Sequence, residues 1–306
     1  MIKILVADEV DLSGADRLSA KNFSVKTEFG ISNDKILNNY RDYDVLVLRS
    51  IRKIDKKFLD NCKFRIIATC SKGTDHINVE YALKKGIKVL NADEGNHISA
   101  AEHTLSLMLA ISKQIVLSDT LVRKDNFAFY DYQRNELFGK AVGIIGFGKV
   151  GSYVGKLCKA FGMKVYANDI DQKVKLRNKK IEFKSIDFIL KNCKFITVHI
   201  PLNKKNLHFI SKIFLLKINR QQIFINTSRG DVVDEKWLLK LLKSKKIYYA
   251  GLDVFSGEPA VDRGFVGLSN VLLTNHIAGK TVESRRRISE SIFSQIEKSN
   301  NTFVTQ

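Results

Sequence analysis

The chain has 306 residues, 44% of them hydrophobic, which is enough for two globular domains. No apolar run approaches the roughly 20 residues of a membrane-spanning helix, so no membrane partner is expected. Lys and Arg number 51 against 32 Asp and Glu, a formal charge of +19. The lysines are dispersed and accompany abundant Asn and Ile with only two prolines, so the excess reads as composition bias and no nucleic-acid partner is expected.

Met1 to Asp8 has the pattern of a buried strand rather than a secretory leader, and a cytoplasmic location is expected. Cys62, Cys70, Cys158 and Cys193 lack C-x-x-C spacing, so neither a disulfide framework nor a metal site is indicated. Short Val- and Ile-rich runs at Ile2 to Ala7, Val45 to Leu48, Arg65 to Thr69 and Ile87 to Leu90 alternate with amphipathic segments, the signature of parallel strands joined by helices. A long periodic segment then predicts one helix from about Asn96 to Lys124, opened by Ser99 with Glu102 in the form of a capping box.

After a polar and aromatic stretch, residues 125 to 140, the alternation restarts. Strands are predicted at Ala141 to Ile145, Lys164 to Ala167, Phe195 to Val198, Gln222 to Ile225, Ile247 to Ala250 and Val271 to Leu273. A helical pattern from Thr281 to about Ser299 closes the chain. The fold class is therefore α/β with two parallel-sheet domains.

Gly146-Phe147-Gly148-Lys149-Val150-Gly151 matches G-x-G-x-x-G, follows a predicted strand and opens a predicted helix. The next strand ends at Asp169, 18 residues past Gly151. In that context the glycines permit a tight turn and close backbone approach, so a pyrophosphate can rest on N–H groups at the positive helix end. Asp169 would accept from the adenosine ribose and repel a 2′-phosphate, which favours NAD over NADP.

Three further segments each place a polar residue just beyond a strand: Arg229 after Asn226, Glu258 after Leu252 and His276 after Leu273. Dehydrogenation of a 2-hydroxy acid needs a cation for the carboxylate, an acid/base for the hydroxyl proton and a carboxylate to tune that base. Taken one by one, the same residues could be a surface arginine, a turn glutamate and a capping histidine.

The runs Gly143 to Gly151, His199-Ile200-Pro201-Leu202, Asn226 to Glu235, Gly251 to Pro259 and His276 to Thr281, with Asn96 to His103 and Arg49-Ser50, resemble the D-isomer-specific 2-hydroxyacid dehydrogenase family. The resemblance extends over essentially the whole chain. It implies that Arg229 binds the substrate carboxylate and carbonyl, that His276 exchanges the hydroxyl proton, and that Glu258 pairs with His276. It also implies that Asp253 contacts the nicotinamide carboxamide, and that His199, Pro201, Thr227, Ser228 and Gly279 join the glycine loop in binding NAD.

The same resemblance implies a discontinuous layout. Residues 1–96 with 281–306 would form a flavodoxin-like substrate domain, and residues 97–280 a Rossmann-like NAD domain, with an active-site cleft between them. The segment 97–124 would be a dimerisation helix, so a homodimer is expected. The loop Ser71 to His76 stands where family members offer backbone N–H groups to the carboxylate, here from Lys72 and Gly73. Lys72, Arg49, Ser50 and Arg52 add positive charge and hydrogen-bond donors that fit a phosphorylated substrate.

Glu94-Gly95-Asn96 and Gly279 to Ser284 resemble the phosphoglycerate dehydrogenase branch, in a short form without a C-terminal regulatory domain. The implied reaction is oxidation of D-3-phosphoglycerate to 3-phosphohydroxypyruvate, the first step of serine biosynthesis, with His276 as general base. Glyoxylate or hydroxypyruvate reductase, D-lactate dehydrogenase and erythronate-4-phosphate dehydrogenase are the alternatives, and an NAD-binding transcriptional corepressor is the rival from another class. Asn275 stands before His276 where the family commonly has proline, an expected source of looseness in the backbone that aims the imidazole.

Overall fold

The computed structural model describes residues 1–18, 22–92, 95–127 and 133–299. Glu94 and the last seven residues, on which parts of the sequence reading fall, lie outside them. The chain divides into one unit of residues 1–96 and 280–306 and a second of residues 97–279. Both are α/β with an all-parallel sheet.

In the first unit the chain runs through β1 (Ile2–Val6), β2 (Phe23–Thr27), α1 (Asn33–Asn39), β3 (Val45–Leu48), α2 (Lys56–Asn61), β4 (Ile66–Thr69), α3 (Val79–Lys84) and β5 (Lys88–Asn91). The sheet order is β2-β1-β3-β4-β5, the flavodoxin-like arrangement. Ile4, Val6, Val45, Val47, Ile66 and Ala68 face one side and pack with Ile288, Ile292, Phe293 and Ile296 of the closing helix. Leu5, Leu46, Leu48 and Ile67 face the other and meet Ile36, Phe58 and Leu59. Burial on both faces explains why these strands read as unbroken apolar runs rather than alternating ones. β2, an edge strand reading Phe-Ser-Val-Lys-Thr, has no counterpart in the sequence expectations because three of its five residues are polar.

The second unit continues with α4 (His97–Lys113), α5 (Ile115–Val122), β6 (Ala141–Ile145), α6 (Lys149–Ala160), β7 (Lys164–Asn168), α7 (Gln172–Arg177) and β8 (Glu182–Phe183). It proceeds through α8 (Ile186–Asn192), β9 (Phe195–Val198), α9 (Lys212–Leu216), β10 (Ile223–Asn226), α10 (Glu235–Lys243), β11 (Tyr249–Leu252), α11 (Arg263–Val266) and β12 (Val271–Leu273). α12 (Val282–Lys298) then completes the first unit. The second sheet has the order β12-β11-β10-β9-β6-β7-β8, a Rossmann-like sheet whose order reverses at β6. The strand predicted at Ile247 to Ala250 lies two residues later, and the two-residue β8 was not predicted.

The single long helix expected from Asn96 to Lys124 is two helices. Gln114 adopts a left-handed conformation (φ 55°), and the axes of α4 and α5 differ by 57°. α4 begins at His97, so Ser99 lies in its first turn rather than at its N-cap and is buried. Leu105, Leu107, Met108 and Ile111 of α4 belong to the core, whereas α5 buries no residue. No single helix among the described residues is long and apolar enough to cross a membrane.

Candidate active site

Most helices here are capped by a Ser, Thr, Asp or Asn that accepts from a first-turn N–H, as Ser185 does for α8 and Thr281 for α12. α6 is different: its N-cap is Gly148, which has no side chain to satisfy those donors. The turn before it is built for close approach. Gly146 has φ +86°, and a Cβ there would lie 2.7 Å from the His199 carbonyl oxygen. A Cβ on Gly151 would lie 2.0 Å from the Gly146 carbonyl oxygen, while the space above Gly148 is open. An uncapped helix N-terminus facing open space is the cradle a pyrophosphate needs, so these residues fit a dinucleotide.

Phe147, Lys149 and Val150 fill the remaining places of the loop. Phe147 is buried and donates its backbone N–H to Asp169 Oδ2 at 2.6 Å. Asp169 also accepts from the Asp171 N–H at 2.8 Å. It is thus fixed beside the loop at the end of β7, with carboxylate lone pairs remaining for a ribose hydroxyl.

Each of the other candidates follows a neighbouring strand at the same edge of the sheet. His199 and Pro201 follow β9. Thr227, Ser228 and Arg229 follow β10, Asp253 and Glu258 follow β11, and His276 and Gly279 follow β12. Open parallel sheets collect ligands along this carboxyl edge, where side chains project past the last backbone pairing.

His276 Nδ1 lies 2.6 Å from Glu258 Oε2. Glu258 Oε1 accepts the Phe255 N–H at 2.8 Å, which fixes the carboxylate's second oxygen. Burial pushes the Glu258 carboxyl up, but the bonds from His276 and Phe255 outweigh it and hold it below the usual glutamate range. With Nδ1 turned to Glu258, Nε2 of the imidazole is left to act on a substrate.

Asp253 is fully buried and organises the loop that carries His276. It accepts from Thr274 Oγ1 at 2.6 Å and from the Ile277 and Ala278 N–H groups, each at 2.9 Å, and His103 Nε2 lies 3.4 Å away. Burial would raise this carboxyl, yet the donors win and it stays low. Its own carbonyl accepts the His276 N–H at 2.8 Å. His276 sits at φ 55° in a backbone tied to Asp253 through its own N–H and that of Ile277.

Arg229 lies in a turn closed by Asn226, whose Nδ2 donates to the Arg229 carbonyl at 3.0 Å. Asn226 Oδ1 accepts from both the N–H and the hydroxyl of Ser228. Gly230 brings this turn against the neighbouring loop, since a Cβ there would lie 1.9 Å from the Phe255 carbonyl carbon. Thr227 Oγ1 meets Thr104 Oγ1 of α4 at 2.9 Å. His103 and Thr104 thus tether α4 to the ends of β12 and β10, a role the sequence reading missed. Two adjacent polar residues inside an apolar helical run were the available signal.

His199 stays neutral: burial pushes its imidazole down to about 3, with Thr197 Oγ1 2.9 Å from Nε2. The Pro201 carbonyl accepts from Asn206 Nδ2 at 2.8 Å. Gly279 ends the unit in a turn.

In the first unit, Arg49 and Ser50 follow β3, and Lys72 and Gly73 follow the adjacent β4, again at the carboxyl edge. The Gly73 carbonyl accepts from Ser71 Oγ at 2.7 Å, and the Lys72 carbonyl accepts from Asn91 Nδ2 at 2.7 Å. Arg52 does not behave as expected. Its guanidinium is nearly buried and clamps Asp8 through Nε and Nη2 (3.2 and 2.7 Å). It also donates to Asn33 Oδ1 and to the Ala7 and Ile31 carbonyls. Every arm is engaged, so Arg52 is a structural clamp rather than a phosphate ligand. Asp8 also accepts the Arg49 N–H at 2.9 Å and thereby shapes the loop that presents Arg49 and Ser50.

The family model described as "D-isomer specific 2-hydroxyacid dehydrogenase, NAD binding domain" matches residues 105–278. The chain belongs to the D-isomer-specific 2-hydroxyacid dehydrogenase family. It is 34% identical to the hydroxypyruvate reductase of Thermotoga maritima, over 97% of both chains. It is also 34% identical to the D-3-phosphoglycerate dehydrogenase of Methanocaldococcus jannaschii, over 97% of this chain and 57% of that one. The chain thus spans about half the length of the phosphoglycerate dehydrogenases it matches. The crystal structure of D-lactate dehydrogenase from Aquifex aeolicus, complexed with NAD and lactic acid, aligns with a TM-score of 0.83 at 26% identity, over 98% of this chain and 96% of that one.

Proposed function

We propose that the chain is an NAD-linked dehydrogenase of a D-2-hydroxy acid, and the 2.6 Å His276–Glu258 pair carries the reading. The Arg229 guanidinium holds the substrate carboxylate, which sets the C2 hydroxyl against His276 Nε2. As the C2–H bond breaks, Nε2 takes the hydroxyl proton and Glu258 stabilises the imidazolium charge through Nδ1. NAD, when bound on the glycine loop, supplies the hydride acceptor. In the reductive direction His276 returns the proton to the carbonyl oxygen.

The substrate pair we assign is D-3-phosphoglycerate and 3-phosphohydroxypyruvate, the entry to serine biosynthesis, with Arg49, Ser50, Lys72 and Gly73 as selectivity residues. The branch-like motifs and the similarity to phosphoglycerate dehydrogenases support it. Hydroxypyruvate or glyoxylate reduction is the second reading, favoured by the near full-length match to a hydroxypyruvate reductase and by the engagement of Arg52. Comparing 3-phosphohydroxypyruvate, hydroxypyruvate, glyoxylate and pyruvate with NADH separates them. The first reading expects the phosphorylated acid to win in kcat/KM; an unphosphorylated acid leading by tenfold establishes the second. NADPH working as well as NADH would remove the role given to Asp169.

We also infer a cytoplasmic homodimer formed through α5, whose Ile115, Val116 and Val122 are exposed. Val116→Lys should then shift the mass in light scattering from dimer to monomer, and an unchanged mass would overturn this.

A further inference from the structure

The amino edge of the second sheet, opposite the glycine loop, carries a feature that dehydrogenation does not use. Lys140 immediately precedes β6, Lys164 opens β7 and Lys194 immediately precedes β9, and β9, β6 and β7 are neighbours in the sheet. The register locks them together: the Lys164 N–H donates to the Lys140 carbonyl, and the Lys194 N–H to the Ala141 carbonyl, each at 2.9 Å. A fourth lysine, Lys191, comes from the last turn of α8. All four line one concavity of about 610 Å³, a volume within the usual range for small-molecule sites.

None of the described residues that line this concavity is acidic. The rest of its wall is mainly amide side chains and aromatic rings, with Tyr166 and Phe188 packed edge to face at 5.0 Å. The nearby Asp187 is tied to Lys217 at 2.7 Å. Lys194 is half-buried over the Tyr248 ring. Burial lowers its ammonium pKa, and the neighbouring Lys140 lowers it further. A structural role explains Lys191, whose charge suits a helix C-terminus, but not four lysines around one hollow whose described lining holds no acidic residue.

We propose that this concavity is a second anion site, which takes a compact ligand bearing two or more phosphate or carboxylate groups held by Lys140, Lys164, Lys191 and Lys194. Such a ligand relieves the repulsion between the lysines and gains charge-assisted hydrogen bonds from several ammonium groups at once. The site lies at the opposite edge of its sheet from the glycine loop, so ligand and dinucleotide bind together.

Titration calorimetry with inorganic tripolyphosphate, run on the full chain with NADH saturating, tests this. One saturable equivalent is expected. The double variant Lys140→Gln/Lys194→Gln should weaken it by roughly a hundredfold, about tenfold per lysine. A charge-matched control, Lys236→Gln/Lys243→Gln on α10, should change affinity less than twofold. If the double variant fails to fold, Lys191→Gln on the exposed helix face provides the same reading, with roughly a tenfold loss. No saturable binding, or equal losses in the control pair, would overturn the proposal, because both point to a diffuse effect of the net charge.

Discussion

Two loop clusters carry the predicted chemistry, and they use their polar groups in opposite ways. Beyond β10, β11 and β12, Asn226, Asp253 and Glu258 spend their polar atoms on fixing the turns that carry Arg229 and His276, and so hold the proposed catalytic side chains in place. Beyond β3, a residue expected to face substrate, Arg52, is instead consumed in building the loop, and the selectivity proposed above is assigned to Arg49, Ser50, Lys72 and Gly73. Chemistry common to a class can rest on a fixed scaffold. Under the proposed function, selectivity falls to a few side chains on loops whose own architecture has already used some of the charge.

The largest expected effect tests the fixed half. His276→Ala should lower kcat by roughly 10³- to 10⁴-fold while NADH affinity, read by fluorescence titration, stays within twofold. Loss of NADH binding in step with turnover would mean that His276 holds the loop rather than moving the proton. Gly230→Ala comes next. The added Cβ has no room against the Phe255 backbone, so the turn carrying Arg229 must shift, at a cost of about 1–3 kcal/mol in stability and roughly tenfold or more in kcat/KM. Wild-type kinetics in that variant would show that the two loops need no such contact.

The variable half yields to a paired comparison. Arg52→Met removes one partner of a nearly buried ion pair and should cost about 3–5 kcal/mol of stability in thermal unfolding, with KM unchanged within twofold below the transition. Lys72→Gln should do the reverse, lowering the melting temperature less than Arg52→Met does and raising KM for 3-phosphohydroxypyruvate by roughly tenfold. Were Arg52→Met to raise KM as strongly as Lys72→Gln, Arg52 would belong with the recognition residues after all.

The difference between the clusters also explains what could be read from the sequence. Strands buried on both faces, such as Val45–Leu48 and Phe195–Val198, announce themselves by composition alone. The glycine loop is legible because Gly146 and Gly151 are demanded by contacts that no Cβ could survive. The break at Gln114 was not legible, since a left-handed residue other than glycine leaves no mark in a helical period. Nor was the fate of Arg52: a run of positive charge looks the same whether it faces a ligand or a buried aspartate forty-four residues earlier in the chain.

The smallest expected effect concerns Glu235, whose carboxylate accepts the Ser256 N–H at 2.9 Å, two residues before Glu258. Ser256 Oγ is also bonded to Asp231, so one residue links two acids to the loop that holds the His276 partner. Burial, more than the nearby Asp231, Asp262 and Glu258 charges, pushes the Glu235 carboxyl up from 4.5 to about 7. A raised carboxyl means that the folded chain binds more protons than the unfolded one between pH 4.5 and 7. Stability from this group therefore falls as pH rises through that window and levels off above it. Glu235→Gln keeps an acceptor for Ser256 and removes the titration. Its melting temperature should match the parent near pH 4.5 and exceed it by roughly 2–5 °C at pH 8. Parallel curves across the window would mean that Glu235 is solvated enough to ionise normally, and that the loop beside Glu258 is no more strained by charge than the loops of the first unit.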